Sequence, residues 1–436
     1  MGKNVPEIQY TRNIPVRYKA DIAVIGGGIA GVCAACTAAD LGASVILVER
    51  FAVTGGMMTA GGVNNFCGET AGQGSVFDEV ITGLQGFGAV ADYQPYNHFK
   101  TIRPFDHEIL SVVLQEILVR HGVKMLLHTR FVDTVMKSNR ITELVLRGQS
   151  GPEGLQAALF VDATGEGEVA HLAGFETMRG RASDKLQLPM SLMFFVRETD
   201  EDPPDTVMPE GWAEPLAEHD LPMTSIWPNG PKSKAVKIKV APFDSTDTES
   251  MTAAEIRARR RMIQVLDYYQ RKEGKKWRLD HASPIIGIRE GRRVIGDYIL
   301  TEEDVRSGQE FDDGVAVGTF YIDAHEPVTE KRVDQLEDPD KKVVPPYHIP
   351  FRALIARDGI NLLTAGRCLS ADQLAMASAR VATSCAMMGQ AAGTAAACAV
   401  KDKCKIRDVD PQDIRSILGE GGSNLDLSGR PTSKES

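Results

Sequence analysis

Three glycines spaced as Gly26, Gly28 and Gly31 can bring a backbone turn against a pyrophosphate, and Glu49 stands about two dozen positions further on. In such a turn Gly26 permits the tight bend, Gly28 the close approach of phosphate, and Gly31 the contact between helix and strand. Ile29 and Ala30 complete the turn, and the helix N-terminus behind it offers N–H groups and partial positive charge. The Glu49 carboxylate suits ribose hydroxyls and would repel a 2′-phosphate, with Arg50 beside it. A second glycine loop, Gly55-Gly56-Met57, follows the acid. Two later strand ends carry Ala163-Thr164-Gly165 and Gly366-Arg367, so several turns are available to one nucleotide. The fingerprint by itself does not separate FAD from NAD.

Other residues offer acid, base or charge chemistry. His325 lies two residues from Asp323 on an extended stretch, an arrangement suited to proton transfer, and is the expected proton-accepting base. Arg289 and Arg292 follow an apolar run and are expected to neutralise an acidic substrate or a developing negative charge. Tyr347 and His348 are second-choice acid or base groups. Cys33 and Cys36 have redox-dithiol spacing, but both fall in the helix behind the glycine turn, where small residues serve close packing. The other cysteines lack metal-ligand spacing, and no metal is expected. Arg257, Arg259, Arg260 and Arg261 are read as a solvated helix face balanced by Glu249 and Glu255. Residues 165–170 imitate a second dinucleotide turn, but Gly174 breaks the next helix and no strand with a terminal acid or base follows. A built-in NAD(P)H domain is therefore disfavoured.

These groups need elements to hold them. Residues 21–25 and 44–48 read as apolar strands on either side of a small-residue helix, giving a strand, turn, helix, strand unit. A helix is expected over 110–121, and strands over 124–131, 141–146 and 159–163. Proline and acidic residues cluster over 200–231, residues 234–240 alternate as a half-buried strand, and 253–275 read as one charged helix. Strands are expected over 315–322 and 360–365, with a small-residue helix over 379–400 and a loose polar end over 421–436. With 436 residues, 43% of them hydrophobic, collagen-like and disordered readings are excluded. The net charge of −10 opposes a nucleic-acid partner. The seven cysteines point to a reducing compartment, residues 1–10 lack a signal-peptide core, and no membrane span is visible, so the expected location is cytoplasmic.

Three segments carry a resemblance: Ile288-Arg289-Glu290 with Arg292-Arg293 and Gly296-Asp297-Tyr298; Ile322-Asp323-Ala324-His325; and the stretch from Ala365 to Ala397. Over residues 21–400 the chain is similar to the two-dinucleotide-binding flavoproteins, and more narrowly resembles the FAD-dependent oxidoreductase family. The resemblance implies FAD as cofactor and an α/β fold, with a Rossmann-like, glutathione-reductase-like FAD-binding domain and an inserted α+β substrate domain. The expected segments are 1–185 and 351–405 for the FAD domain, 186–350 for the substrate domain and 406–436 for a tail. The implied activity is hydride transfer between a small organic substrate and flavin N5. The start of the C-terminal helix at Ser378, Arg380 and Val381 is expected to stabilise charge near flavin N1 and O2. The electron acceptor is expected to be oxygen or a partner protein, and a homo-oligomer is allowed. The alternatives are a flavin-binding electron-transfer subunit serving a protein partner and an RNA-modifying flavoprotein, the latter opposed by the net acidity.

Overall fold

The computed structural model describes residues 7–97, 100–199, 208–273 and 277–430. Outside them lie residues 1–6 of the expected N-terminal segment, a stretch of the proline-rich region, the last two residues of the expected charged helix, and residues 431–436 of the loose end. The apolar run before the glycine turn forms β1 (Val16–Ile25) and leads into α1 (Ile29–Asp40) and β2 (Val45–Val48). β1 lies parallel to β2 on one side and to the strand Gly151–Asp162 on the other. The strand Leu362–Thr364 returns from late in the chain to pair, also parallel, with the end of Gly151–Asp162. Lys124–Leu126 extends the sheet beyond β2, and the antiparallel strands Arg130–Lys137 and Arg140–Gly148 bring it to seven. Ile25 is in register with both Val48 and Asp162, and Asp162 with Thr364. The carboxyl ends of four parallel strands therefore open along one edge, where α/β sheets bind ligands.

α1 is packed from behind by the helix Ala382–Asp402. A Cβ on Gly389 would lie 2.2 Å from the Ala30 carbonyl oxygen, and one on Gly393 would lie 2.3 Å from that of Ala34. These glycines let the two backbones touch. The helix expected over 379–400 is Ala382–Asp402, and a separate helix, Gln373–Ala379 capped by Asp372, precedes it, with Val381 extended at the joint. Arg380 and Val381, at that joint, line the cleft.

A separate four-stranded antiparallel sheet has the order Thr224–Pro228, Ser233–Val240, Met190–Glu198, Trp277–Ala282. One face packs Leu192, Phe194, Val196 and Ile238 under Ala254, Ala258 and Val265 of the helix Thr248–Glu273. Because strand side chains alternate, the opposite face carries Ser191 and Met193, paired with Lys239 and Lys237. Two other expectations shorten: the strand expected over 315–322 is Gly314–Gly318, and the one over 124–131 divides where His128 adopts φ 50°. No helix among the described residues is long and apolar enough to cross a membrane.

Candidate active site

The cleft begins at the glycine turn. Gly26 adopts φ 101°, and a Cβ there would meet the Ala163 carbonyl oxygen at 2.4 Å. Gly31 has no room either, its Cβ position lying 1.9 Å from the Gly26 oxygen. Gly28 differs, because its Cβ position has no atom within 4 Å and the residue lines the cleft. The second loop docks on the first through Gly55 N–H donating to the Gly27 oxygen at 2.7 Å. Glu49 fixes both turns, its Oε2 accepting from Gly27 N–H at 2.7 Å and its Oε1 from Phe51 N–H at 2.8 Å. Burial raises its pKa, with those two amides pulling the other way.

The turn at 163–165 is organised from beneath. Asp162 Oδ2 accepts from the N–H groups of Val169 and Ala170, and the Cys368 sulfur accepts from Gly165 and Gly167. Beyond Gly165 the helix Glu168–Leu172 lasts five residues, and Thr177–Met178 then pairs antiparallel with Arg293–Val294. A strand-helix-parallel-strand unit is not formed there. Arg367 Nη2 reaches Glu166 at 3.3 Å, and burial pushes the Glu166 carboxyl up to about 7 despite Arg367.

The far end of the cleft is walled by the second sheet and by two loops. Ser191, Met193 and Lys237 come from the sheet, Ile288 and Arg289 from the strand-like run after it, and Val63, Asn65 and Cys67 from the segment after the second glycine loop. Phe320, Asp323 and Arg380 close it. Arg289 is held in place by Nη1, which donates to the Pro189 oxygen at 2.6 Å and to Ser191 Oγ at 2.7 Å. Arg380 Nη2 donates to Asp323 Oδ2 at 2.9 Å. Along the whole wall, Arg50, Arg130, Lys237, Arg289, Arg367 and Arg380 face Glu49, Glu168 and Asp323, so the cleft is cationic in a chain of net charge −10.

Gly26, Gly28, Ile29, Ala30, Glu49, Arg50, Gly55, Gly56, Met57, Ala163, Thr164, Gly165, Gly366, Arg367, Arg380, Val381 and Arg289 thus share one cleft. Gly31 supports the turn from behind. The other expected site residues stand back. His325 is buried, with Nδ1 2.5 Å from Asp334 and Nε2 3.3 Å from Asp323, so it reaches the cleft only through Asp323. Burial lowers its pKa, against the pull of Asp323 and Asp334. Tyr347 is fully buried, its hydroxyl 2.8 Å from Ser378 Oγ, and burial raises its pKa. Ser378 donates to the Phe320 oxygen and belongs to the helix Gln373–Ala379, so it is not at the start of the longer helix. Arg292 points away to the Thr246 oxygen, and His348 is enclosed between Phe311 N–H and the Leu425 oxygen. Arg293 pairs with Glu290 in the interior. Cys33 and Cys36 are buried, and burial raises both thiols. In the basic cluster, Arg257 and Arg261 engage Glu330 at 2.9 and 3.0 Å, and Arg259 engages Glu255; Glu249 takes no part in these pairs.

Ser191, Lys237 and Asn65 were not foreseen from the sequence. The one signal for Lys237 was a lysine inside an alternating strand. His107, Glu108 and His281, which lack suggestive company in the sequence, bring ligand atoms within 4.8 Å of one another. Both imidazoles stack on Phe195, at 12° and 15° from parallel.

A family model described as FAD dependent oxidoreductase matches residues 21–418. No curated protein matches the chain. Among solved structures, BexE, studied for oxidation during BE-7585A biosynthesis, is 13% identical at a TM-score of 0.50, over 92% of this chain and 66% of its own. The anhydrotetracycline hydroxylase OxyS from Streptomyces rimosus is 13% identical at a TM-score of 0.47, over the same shares. A geranylgeranyl bacteriochlorophyll reductase-like protein from Thermoplasma acidophilum is 11% identical at 0.49, over 92% of this chain and 83% of its own. The likeness to BexE is one of fold, and the chain spans about two thirds of that protein's length.

Proposed function

We propose, from the fact that this chain belongs to the FAD-dependent oxidoreductase family, that it is an enzyme oxidising a small organic substrate at the far end of the cleft. FAD is its cofactor, and when bound it supplies the two-electron acceptor that takes a hydride from a substrate carbon. The residues suit FAD at three points. Gly28 presents an open side to the cleft, and the Nε groups of Arg367 and Arg380 are buried donors with no hydrogen-bond partner. Gly28, Gly55 and Gly56 would approach the pyrophosphate, and Glu49 would meet the ribose. The wall at Gly366, Arg380 and Val381 would face the ring.

Arg289, oriented by Pro189 and Ser191, anchors the substrate. Asp323 takes the proton that leaves the substrate and passes it to His325 Nε2, while Asp334 holds Nδ1. Burial keeps that imidazole neutral and ready to accept. The glutathione-reductase-like arrangement remains our reading of the fold, with 1–185 and 351–405 as FAD domain, 186–350 as substrate domain and 406–436 as tail. It is supported by the return of Leu362–Thr364 to the first sheet and by the separate core of the second.

One observation carries the reading: a single cleft joins the glycine turn to a walled chamber bearing Arg289 and Asp323. That chamber weighs against a bare electron-transfer subunit, and the ion pairs of Arg257 and Arg261 with Glu330 weigh against an RNA face. Anaerobic incubation with hydroxy acids, amines, sugars and steroids should bleach the flavin with one of these classes. A holoprotein bleached by none of them, yet reduced by an iron-sulfur or thiol protein, would sink the assignment.

A further inference from the structure

The face of the second sheet that meets the cleft is unusual for an interior surface. Where alternation places the inward residues of two adjacent strands, two of the four positions, Lys237 and Lys239, are lysines. Lys239 is fully buried, and its Nζ donates to the carbonyl oxygens of Glu326 and Lys331 at 2.7 and 3.1 Å. Burying an ammonium costs several kcal/mol even after relaxation. Arg289 stands beside this pair, bonded to Ser191, which is the residue opposite Lys239. Burial, with Arg289 nearby, brings the Lys239 ammonium down to about 8, and Arg289 and Lys237 also oppose protonation of His325. Of these cations Lys237 and Arg289 line the chamber, beside Met193, Ile288 and Phe320.

We infer that the substrate is an organic acid whose carboxylate is held between Arg289 and Lys237, with its carbon skeleton against Met193, Ile288 and Phe320. This rests on the oxidoreductase reading and names the substrate class for the same chamber. A planar guanidinium whose Nη1 is already fixed by Pro189 and Ser191 presents an oriented edge to a carboxylate, and the lysine adds a point charge from the neighbouring strand. Asp323, paired with Arg380, lines the same chamber.

The test is equilibrium binding to the oxidised holoprotein, read as a shift in the flavin absorbance, with no turnover required. Phenylacetate and succinate should shift the spectrum saturably. Phenylacetamide and succinamide at matched ionic strength should bind at least about tenfold more weakly, as should phenyl phosphate. Lys237→Met and Arg289→Met should each weaken carboxylate binding by about tenfold or more at unchanged FAD content, and Arg289→Lys should restore some of the loss. Lys237 is half-buried, so its variant decides the matter if Arg289→Met does not fold. Equal binding of amide and acid, tighter binding of the phosphate ester, an unaffected Lys237→Met protein, or no shift with either acid up to tens of millimolar would overturn the inference. A flavin bleached by a neutral substrate without any anion shift would sink this inference alone. A saturable anion shift in a holoprotein that no small molecule reduces would leave the anion site standing and sink the oxidoreductase reading.

Discussion

Gly28→Ala separates what the turn does for the fold from what it does for the cofactor. Gly28 has φ −66° and ψ 175°, a conformation open to any L-residue, and nothing lies within 4 Å of its Cβ position. Alanine there strains nothing, and it removes conformational freedom from the unfolded chain, an effect of about 0.4–1 kcal/mol in favour of folding. The apoprotein should therefore melt at the same temperature or about a degree higher. FAD meets the methyl group at the point where its pyrophosphate must approach the backbone. Overpacking of this kind costs about 1–3 kcal/mol, which is roughly a 5- to 150-fold rise in Kd, and valine should strip the cofactor. Titrating FAD into apoprotein by fluorescence quenching, beside a melt of the same sample, reads both signs. Gly26→Ala is the contrast, since φ 101° and the Ala163 oxygen at 2.4 Å predict a lower apoprotein Tm. A folded Gly28→Val protein with wild-type FAD affinity would refute the placement of the phosphates.

His325→Ala should retain FAD and lose about a hundredfold in flavin reduction rate, the order expected for a positioned base. Because burial lowers the imidazole pKa, the wild-type rate should fall only on acidification below the usual histidine value, and that limb should vanish in the variant; unchanged kinetics across neutral pH would remove His325 from the mechanism. Glu166 is raised from 4.5 to about 7 by burial, so the folded apoprotein holds a proton that the unfolded chain releases earlier. Its contribution to stability is present below about 4.5 and is lost as pH rises through about 7, a change on the order of 3 kcal/mol. Melts of apoprotein at pH 5 and pH 8 should show the slope, and Glu166→Gln should flatten it. Gly389→Ala must push apart a pair of helices whose backbones touch, so it should lower the apoprotein Tm and weaken FAD binding together, at about 1–3 kcal/mol of overpacking; a variant that melted like wild type would show the close approach to be dispensable.

The nucleotide end was legible because its chemistry is backbone chemistry. Gly26, Gly28, Gly31 and Glu49 are constrained by a turn that few other residues can make, and the pattern survives in one dimension. The catalytic end depends on which side chain of a cluster faces inward, which spacing does not encode. Arg289, Arg292 and Arg293 lie within five positions, yet one lines the cleft, one points to Thr246 and one is buried against Glu290. Ser378 reads as a helix start because small residues dominate the stretch that follows. The chain is extended at Val381, and Arg380 beside it lines the cleft. Lys237 was hidden for a similar reason. Alternation identifies a two-faced strand but does not say which face meets a ligand.

The arginines of the charged helix bear on this catalytic end in a way their composition concealed. Arg257 and Arg261 do not simply face solvent, because both engage Glu330, five residues beyond His325. Lys239 holds the carbonyls of Glu326 and Lys331 from the second sheet, Met223 N–H donates to the Glu330 oxygen at 2.7 Å, and Arg181 reaches Glu326. The segment carrying the base is thus fastened to the same sheet and helix that carry Arg289 and Lys237. The residues on either side of Asp323, Ile322 and Ala324, pack into the core of the nucleotide-binding sheet, so the proton acceptor is held from both sides. Arg380, between the two C-terminal helices, pairs with Asp323, and Ser378 donates to the Phe320 oxygen, so the stretch that carries the acceptor is also tied to the helices of the nucleotide-binding side.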